Sequence, residues 1–334
     1  MHTFFYALVL VACVWAELDD ELLNAEWKSF KFEHKKSYWD ETEELRRLKI
    51  FQKNRLIIAE HNARWAAGKE TYEMGINKFS DMTSEEFNRN ILGYMNVTDP
   101  DENILDTITY IPPTHLTIPN EIDWRRSGAV TPVKFQGYHC GSCYAFSVTG
   151  ALEGQHFRKT GQLVSLSEQN IVDCSRGYGN SGCQSGYSDR AFQYIKDNGG
   201  IDTEDSYPYE AKLRTCRFRR NSVGATLYSY VRVLDGSEMY LAYAVATVGP
   251  VSVGVDAHTG LQHYKGGIFY NPYCTNNRNH AVLAVGYGSD RYFGDYWLIK
   301  NSWGQQWGEE GYFRLVRNRN NHCGIGYGCF YPLV

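Results

Sequence analysis

Apolar residues in the first third of the chain recur at helical spacing. Between about Thr42 and Ala67 they fall every three or four positions with charged residues between them: Leu45, Leu48, Phe51, Leu56 and Ile58. This periodicity predicts one long helix, and Gly68 is a suitable residue to end it. The stretch Asp99–Pro113 is acidic, then proline-containing, and has no period, so it is predicted to be a linker open to proteolysis.

Beyond Ile118 the pattern predicts helices first and strands later. Three helices are indicated: Cys143 to about Lys159, a short helix to Cys174 opened by a Ser165-x-x-Glu168 capping box, and Ser188–Asn198. Four later runs are predicted to be strands: Val251–Val255, Ala281–Val285, Tyr296–Lys300 and Tyr312–Val316. Two unlike halves of this kind are typical of the α+β fold class.

The N-terminus has the pattern of an export signal. An apolar run begins at Phe4 and is too short to span a membrane, and Val14-x-Ala16 supplies the small residues of a signal-peptidase site. Residues 1–16 are therefore predicted to be a signal peptide that directs the protein into the secretory pathway. A glycosylation sequon, Asn96-Val97-Thr98, agrees with that route.

Charge divides the chain into two parts. The net charge of the 334 residues is −4, and the sequence has no long basic run, which argues against nucleic acid as a partner. Residues 17–117 carry 20 acidic and 13 basic side chains, whereas residues 118–334 carry 18 and 21. We expect the two parts to attract each other and the attraction to weaken as carboxylates are protonated, although chance alone often produces such a difference.

The residue types that activate a thiol nucleophile are all present. Cys143 begins a predicted helix, and a helix N-terminus favours the thiolate form. His280 opens a predicted strand and supplies a base, while the side-chain oxygen of Asn301 can hold its imidazole in one tautomer. Trp303 follows closely, where its ring can shield that hydrogen bond from water.

The stretch Cys140-Gly141-Ser142-Cys143-Tyr144, with a distant His and Asn, resembles the papain-like cysteine proteases. His280 lies 137 residues and Asn301 158 residues downstream of Cys143, close to the spacing in that family. The resemblance implies that Cys143 and His280 form a thiolate–imidazolium pair. It also implies that the side-chain N–H of Gln136 joins the backbone N–H of Cys143 in an oxyanion hole.

A second, independent resemblance lies upstream. Six residues share one helical face in the order E-x3-R-x3-F-x2-N-x3-I-x3-N: Glu43, Arg47, Phe51, Asn54, Ile58 and Asn62. The pattern G-x-N-x-F-x-D follows at Gly75, Asn77, Phe79 and Asp81. Both patterns are similar to the pro-segment of cathepsin L-like zymogens. They imply an inhibitory pro-segment over residues 17–117, whose later part runs backwards through the active cleft, and a mature peptidase domain over residues 118–334.

The resemblance also implies the fold and the disulfides. The fold is an α+β, papain-like catalytic domain with a helical left half and an antiparallel β-barrel-like right half, preceded by a helical pro-domain. The implied bridges are Cys140–Cys183, Cys174–Cys216 and Cys274–Cys323. Cys329 is left over, either as a buried inert thiol or as a handle for oxidation or dimerisation.

Substrate binding is likewise implied by the resemblance. Gly186 is expected to pair with the substrate backbone. The S2 pocket, which receives the P2 side chain, is expected to be lined by Tyr187, Ser188, Gly254, Arg278, Ala281 and Gly328, with Trp303 beside the site. Since Gly254 and Gly328 deepen this pocket and Tyr187 narrows its mouth, we expect an endopeptidase that prefers apolar P2 residues. Arg278 departs from the family by placing a charge at the pocket's edge.

The expected partners are protein and peptide substrates, the chain's own pro-segment and cystatin-type inhibitors. The protein is expected to be a monomer, secreted or lysosomal, without a cofactor or metal and without a nucleic-acid or membrane partner.

The chain departs from the family in the loop before the nucleophile. Gln136 and Cys143 are seven positions apart instead of six, because Tyr138-His139 replaces one residue. An extra residue can displace Gln136 by up to about 3.5 Å and so weaken the oxyanion hole. An alternative therefore stays open, namely a catalytically impaired, secreted binding protein on a protease scaffold. His139 is expected to be a surface histidine.

Two other interpretations of the cysteines are weaker. Cys140-x-x-Cys143 has the spacing of a thiol–disulfide oxidoreductase, but the βαβ pattern of such enzymes is missing, and a Cys140–Cys183 bridge with Cys143 free would exclude it. A zinc site built from Cys140, Cys143, Cys174 and Cys183 has an unsuitable spacing.

Overall fold

The computed structural model describes residues 21–95, 108–113, 117–257 and 259–334. The predicted signal peptide, the Asn96 sequon and most of the predicted linker lie outside the described residues. Within these ranges no helix combines the length and the apolar character that a membrane crossing needs.

The described part of the pro-segment is mainly helical. Helix α1 covers residues 21–33, α2 covers Glu41–Ala66 and α3 covers Ser84–Ile91, with the short strand β1, Tyr72–Met74, between α2 and α3. The carboxylate of Asp40 accepts the N–H of Glu43 and so caps the start of α2. Apolar residues of α1 and α2 form a small core of their own: Leu23, Trp27, Phe30 and Phe51.

A polar joint holds α2 against the segment that follows β1. Arg47 pairs with Glu43 at 2.6 Å on its own helix and with Glu86 of α3 at 2.7 Å. The side-chain amide of Asn54 donates to the carbonyls of Ser80 and Met82, each at 2.9 Å. Because these buried polar groups find partners, the motif residues of the pro-segment form one connected unit.

The helical half of the mature domain is built around α4, Cys143–Thr160. Helices α5, Glu168–Cys174, and α6, Ser188–Asn198, pack beside it. Small residues let α4 approach the strands closely, since a Cβ on Gly150 would lie 2.7 Å from Leu283. As a result α4 is buried between the two halves, and its first residue lies at their junction.

The other half is a sheet with two short helices, α7, Glu238–Thr247, and α8, Thr259–Gln262. The remaining strands are β2 Ile108–Tyr110, β3 Ile122–Asp123, β4 Ile201–Asp202, β5 Val223–Ala225, β6 Ser229–Val233, β7 Val251–Val255, β8 Tyr264–Phe269, β9 His280–Asp290, β10 Gly294–Lys300, β11 Tyr312–Val316 and β12 Phe330–Leu333. Among the described residues the order in the main sheet is β1-β8-β11-β10-β9-β7-β12-β6-β2, with β3 paired to β9 and with β4 and β5 forming a separate pair.

The pro-segment extends this sheet at both ends. Strand β1 pairs antiparallel with β8, and β2 pairs in parallel with β6. Where the chain is described, β1 and β2 do not pair with each other, so the sheet is open. The expected α+β class is confirmed, but the barrel-like half is not a closed barrel.

Most predicted elements lie where the pattern placed them. Strands β7 and β11 and helix α6 have the predicted bounds. The predicted cap of α5 is wrong, because Ser167, and not Ser165, accepts the N–H of Asn170 and precedes the helix. Helix α7 was missed, because its apolar residues surround it on most sides and give no clear period.

Candidate active site

Cys143 is the first residue of α4 and is fully buried. Its sulfur accepts the backbone N–H of Ala281, the residue after His280, at 3.4 Å. The backbone N–H groups of Gly93 and Tyr144 also hydrogen-bond the sulfur, and each of these bonds acts to lower the thiol pKa. Several N–H groups therefore converge on one sulfur at a helix start, an arrangement that stabilises negative charge there.

His280 is the first residue of β9, where it lies opposite Val255 of β7. Its Nε2 atom is 2.8 Å from Oδ1 of Asn301. The backbone N–H of Ser302 donates to the same Oδ1, which fixes the amide oxygen towards the ring. Because an amide oxygen only accepts, Nε2 carries the proton. Nδ1 is buried without a hydrogen-bond partner among the described residues, so its lone pair is free to accept a proton.

Trp303 covers this histidine. The two rings stack with centroids 4.6 Å apart, and the indole is fully buried, as the expected shielding of the His280–Asn301 bond requires. Phe79 and Phe87 of the pro-segment pack edge-on against Trp303 at 5.7 and 5.1 Å. The pro-segment thus closes the aromatic side of the site.

Gln136 is held from three sides. Its amide nitrogen donates to the carbonyl of Cys140 at 2.9 Å and to the carbonyl of Ile91 in the pro-segment at 2.8 Å. Its amide oxygen accepts from the hydroxyl of Ser302 at 2.7 Å. One N–H of Gln136 therefore already binds a carbonyl oxygen that comes from outside the mature domain, as an oxyanion donor would.

The extra residue in the loop does not loosen Gln136. The backbone N–H of Gln136 donates to Ser302 at 2.9 Å, and Gly137 takes a φ of +90°, which lets the chain bulge beyond it. Tyr138 fills the bulge and packs on Phe79 of the pro-segment, while the ammonium of Lys36 lies 4.2 Å from its ring centre. His139 is exposed, as expected.

Burial controls protonation in this covered state. Burial raises the pKa of the Cys143 thiol to about 11. It lowers the pKa of His280 to about 4, which the hydrogen bond to Asn301 offsets in part. Both shifts favour the uncharged forms of Cys143 and His280 while the pro-segment covers the site. The pro-segment excludes the water that would solvate the two charges.

A strand of the pro-segment lies directly on the cleft. Tyr94 forms a parallel bridge with Gly186, whose N–H donates to the carbonyl of Gly93 at 2.9 Å and whose carbonyl accepts from Met95 at 3.0 Å. A Cβ on Gly93 would overlap the carbonyl of Gly141. Only a glycine can therefore pass this close to the loop that carries Cys143.

Only some of the expected S2 residues lie next to Tyr94. Its ring abuts Gly254, where a Cβ would lie 2.6 Å from Cε1, and its hydroxyl faces Gly328, where a Cβ would lie 3.3 Å away. Ala281 touches Cys143 through its N–H. Ser188 is fully turned inward, since its hydroxyl accepts from Ser252 at 3.1 Å.

The S2 position expected for Tyr187 stays a prediction, whereas the one expected for Arg278 needs correction. Tyr187 caps α6 and holds the guanidinium of Arg190 4.0 Å from its ring centre. Arg278 was expected at the pocket's edge, but only 7% of it is exposed. Its side chain occupies the space beside Gly254 and Gly328, so these glycines make room for the arginine instead of deepening the pocket.

The disulfides decide between the interpretations of the cysteines. The structure contains Cys140–Cys183, Cys174–Cys216 and Cys274–Cys323, and Cys143 is free. A Cys140–Cys143 redox pair and the four-cysteine zinc site are both excluded, because Cys140, Cys174 and Cys183 are held in disulfides. Cys329 is free and buried, and its thiol donates to the carbonyl of Ile325 at 3.0 Å.

Comparison with known families matches both parts of this arrangement. The family model described as "Papain family cysteine protease" matches residues 118–333. The chain belongs to the papain family of cysteine proteases. A second model, "Cathepsin propeptide inhibitor domain (I29)", matches residues 27–87. The papain-family protein described here is therefore a cathepsin L-like zymogen that carries its own inhibitor domain.

Individual relatives agree over the full length. The chain is 52% identical to cathepsin L of Sarcophaga peregrina, with 100% of both chains covered. It is 54% identical to a cathepsin L-like peptidase of Aedes aegypti, with 94% of each covered. Among solved structures it is similar to digestive procathepsin L 3 of Tenebrio molitor, with a TM-score of 0.86, 46% identity, and coverage of 94% of this chain and 99% of the other.

Proposed function

We propose that the mature domain is a cysteine endopeptidase whose nucleophile is Cys143. His280 is its base, Asn301 orients His280, and Gln136 is an oxyanion donor. One observation carries the proposal. A free sulfur at the start of α4 hydrogen-bonds the residue next to His280, and the imidazole is fixed in the tautomer that leaves Nδ1 able to take a proton.

The reaction follows from these positions. Once the cleft is open, Nδ1 of His280 takes the proton of Cys143, and the thiolate attacks the carbonyl carbon of the scissile bond. The N–H of Gln136 and the backbone N–H of Cys143 stabilise the oxyanion. His280 then protonates the leaving amine, and a water molecule, deprotonated by the same histidine, hydrolyses the thioester.

The pro-segment keeps the enzyme inactive by occupying these groups. Ile91 places a carbonyl on Gln136, Gly93 lies against the Cys143 sulfur, and Tyr94 fills the S2 pocket. Its strand runs parallel to Gly186, which supports the reverse direction expected for an inhibitor that is not cut.

We further propose a substrate preference and a location. The preferred P2 side chain has a large apolar body, because the pocket receives the Tyr94 ring beside Gly254 and its hydroxyl opposite Gly328. Gly186 binds the substrate backbone. The protein enters the secretory pathway through residues 1–16 and acts as a monomer in the lysosome or outside the cell. Cystatin-type inhibitors are expected to block the opened cleft.

Acid treatment of the full-length protein tests the proposal. We expect the wild type to cleave itself between residues 99 and 117 and to gain peptidase activity, as followed by mass spectrometry and a fluorogenic peptide. Cys143→Ala should stay intact and inactive, whereas Cys329→Ala should behave like the wild type. Wild-type protein that stays intact and inactive after acid treatment would favour the binding-protein alternative.

A further inference from the structure

Arg278 of the S2 pocket is a buried cation to which the described residues offer no acceptor at Nε or Nη1. Only 7% of the residue is exposed, and its Nε and Nη1 atoms have no hydrogen-bond partner in the described part of the chain. A guanidinium carries five N–H donors and stays charged. Leaving such a group buried and unpaired costs free energy, so its presence calls for a ligand that supplies an acceptor.

Three glycines make room for this side chain. A Cβ on Gly254 would lie 3.2 Å from Cδ of Arg278, one on Gly324 would lie 3.1 Å from Cγ, and one on Gly328 would overlap Nη1. The backbone around the arginine therefore fixes its position. The guanidinium cannot retreat to the surface without leaving a void beside β7.

Within the described ranges, no carboxylate lies within ion-pair distance of Arg278. Asp235 forms no ion pair with Arg278; its carboxylate accepts the N–H of Gly328 at 2.9 Å and pairs with Arg232. Asp189, in the first turn of α6, is also buried and is not within ion-pair distance of Arg278. Tyr327 presents only its ring, with its centre 5.8 Å from the guanidinium carbon.

The inhibitory strand does not satisfy the guanidinium either. A Cβ on Gly328 would touch both Nη1 of Arg278 and, at 3.3 Å, the hydroxyl of Tyr94, so the two polar groups face the same point. Yet the Tyr94 hydroxyl is also without a partner among the described residues. Tyr94 enters on a strand parallel to Gly186, the reverse of a substrate, and in this direction it fills the apolar part of the pocket without bringing its hydroxyl into a hydrogen bond with Arg278.

We propose that Arg278 makes the S2 pocket select P2 side chains with an apolar body and a hydrogen-bond acceptor at the tip, namely tyrosine and glutamate. This selectivity rests on the proposed endopeptidase function. A P2 side chain with a hydrocarbon tip excludes water from the guanidinium and supplies no hydrogen-bond acceptor in its place. An acceptor at the same point restores the lost hydrogen bonds, and a site built to bond a polar group discriminates against the analogue that lacks it.

Matched peptides that differ only at P2 test this selectivity. With the acid-activated enzyme we expect kcat/KM for Tyr to exceed that for Phe by about 10-fold or more, and Glu to exceed Gln. In Arg278→Met, a variant of similar length without charge, the Tyr-to-Phe ratio of kcat/KM should fall to near 1, whereas the peptide with Leu at P2 should still be cleaved. Arg220→Met, at an exposed arginine, should keep the wild-type ratios.

Equilibrium binding separates this inference from the proposed function. The same peptides are titrated by calorimetry into Cys143→Ala protein whose pro-segment has been removed by an added protease. Tighter binding of the Tyr peptide than of the Phe peptide, lost in the additional Arg278→Met variant, supports the inference even if no peptide is cleaved. A Tyr-to-Phe ratio near 1 in protein that retains Arg278, whether in kcat/KM or in binding affinity, overturns the inference.

Discussion

At the residue scale, the chemistry depends on side chains that are held by the backbone of neighbouring strands. The Ser302 segment fixes both His280, through Asn301, and Gln136, through its hydroxyl and carbonyl. One short turn therefore positions the base and an oxyanion donor together. This explains why an added residue between Gln136 and Cys143 is accommodated in the bulge at Tyr138 and not at the glutamine.

Replacing Gln136 isolates the oxyanion donor. In the activated enzyme, Gln136→Ala should lower kcat by about 10²–10³-fold with little change in KM, because the lost N–H acts on the charge of the transition state. Steady-state kinetics measure both constants. Gln193→Ala, on the outer side of α6, serves as a control and should leave both unchanged. A KM effect without loss of kcat would show that Gln136 binds substrate only.

At the element scale, one extended strand of the pro-segment covers the site that the helices and the sheet create. Its close approach depends on Gly93, where a Cβ would overlap the carbonyl of Gly141. Both atoms belong to backbone that is pinned by hydrogen bonds to Gly186 and Cys183, so neither can move aside cheaply.

The variant Gly93→Ala should therefore weaken latency. We expect Cys143 in the intact zymogen at neutral pH to react with iodoacetamide at least several-fold faster than in the wild type, because the strand must lift from the cleft. Gly177→Ala is a matched control, since a Cβ there meets no atom within 4 Å. Equal alkylation rates for Gly93→Ala and wild type would contradict the role assigned to this strand.

Short sequence motifs predict the position of single elements, but not the contacts between distant ones. The positions of Cys143, His280 and Asn301 were predictable, because the first two begin an element, the third directly follows β10, and each lies in a short motif. The burial of Arg278, the position of Tyr94 and the packing of Tyr138 on Phe79 were not. Each depends on the approach of segments far apart in the chain, which no local pattern records.

At the scale of the whole molecule, the pro-segment is held together by ion pairs that acid removes. Hydrogen bonds from Arg46, and also from Arg47, lower the pKa of Glu43 to about 2. Burial by itself would raise the pKa of Glu86, but its bonds to the backbone of Thr83 and to Arg46 outweigh this and lower it. Both carboxylates thus favour the folded pro-segment only while they are ionised.

Acid should therefore lower the thermal stability of the folded pro-segment. A carboxylate whose pKa is depressed by folding stabilises the fold above its unfolded pKa of about 4.3, and this stabilisation is lost as the pH falls towards 2. In full-length Cys143→Ala, which cannot cleave itself, we expect Tm to fall across this window. The additional change Glu43→Gln should flatten the fall, whereas Glu60→Gln, at an exposed position of α2, should not. A Tm independent of pH below 4.3 would contradict this account.

The most direct test of the central claim is the mapping of one thiol. The acid-activated protein is titrated with a thiol-reactive epoxide that mimics a peptide, and the modified residue is located by mass spectrometry while peptidase activity is followed. We predict that one equivalent is consumed, that Cys143 carries the label, and that activity falls in proportion, with Cys329 unmodified. Peptidase activity that survives complete labelling of Cys143, or a Cys143 found in a disulfide, would contradict the account.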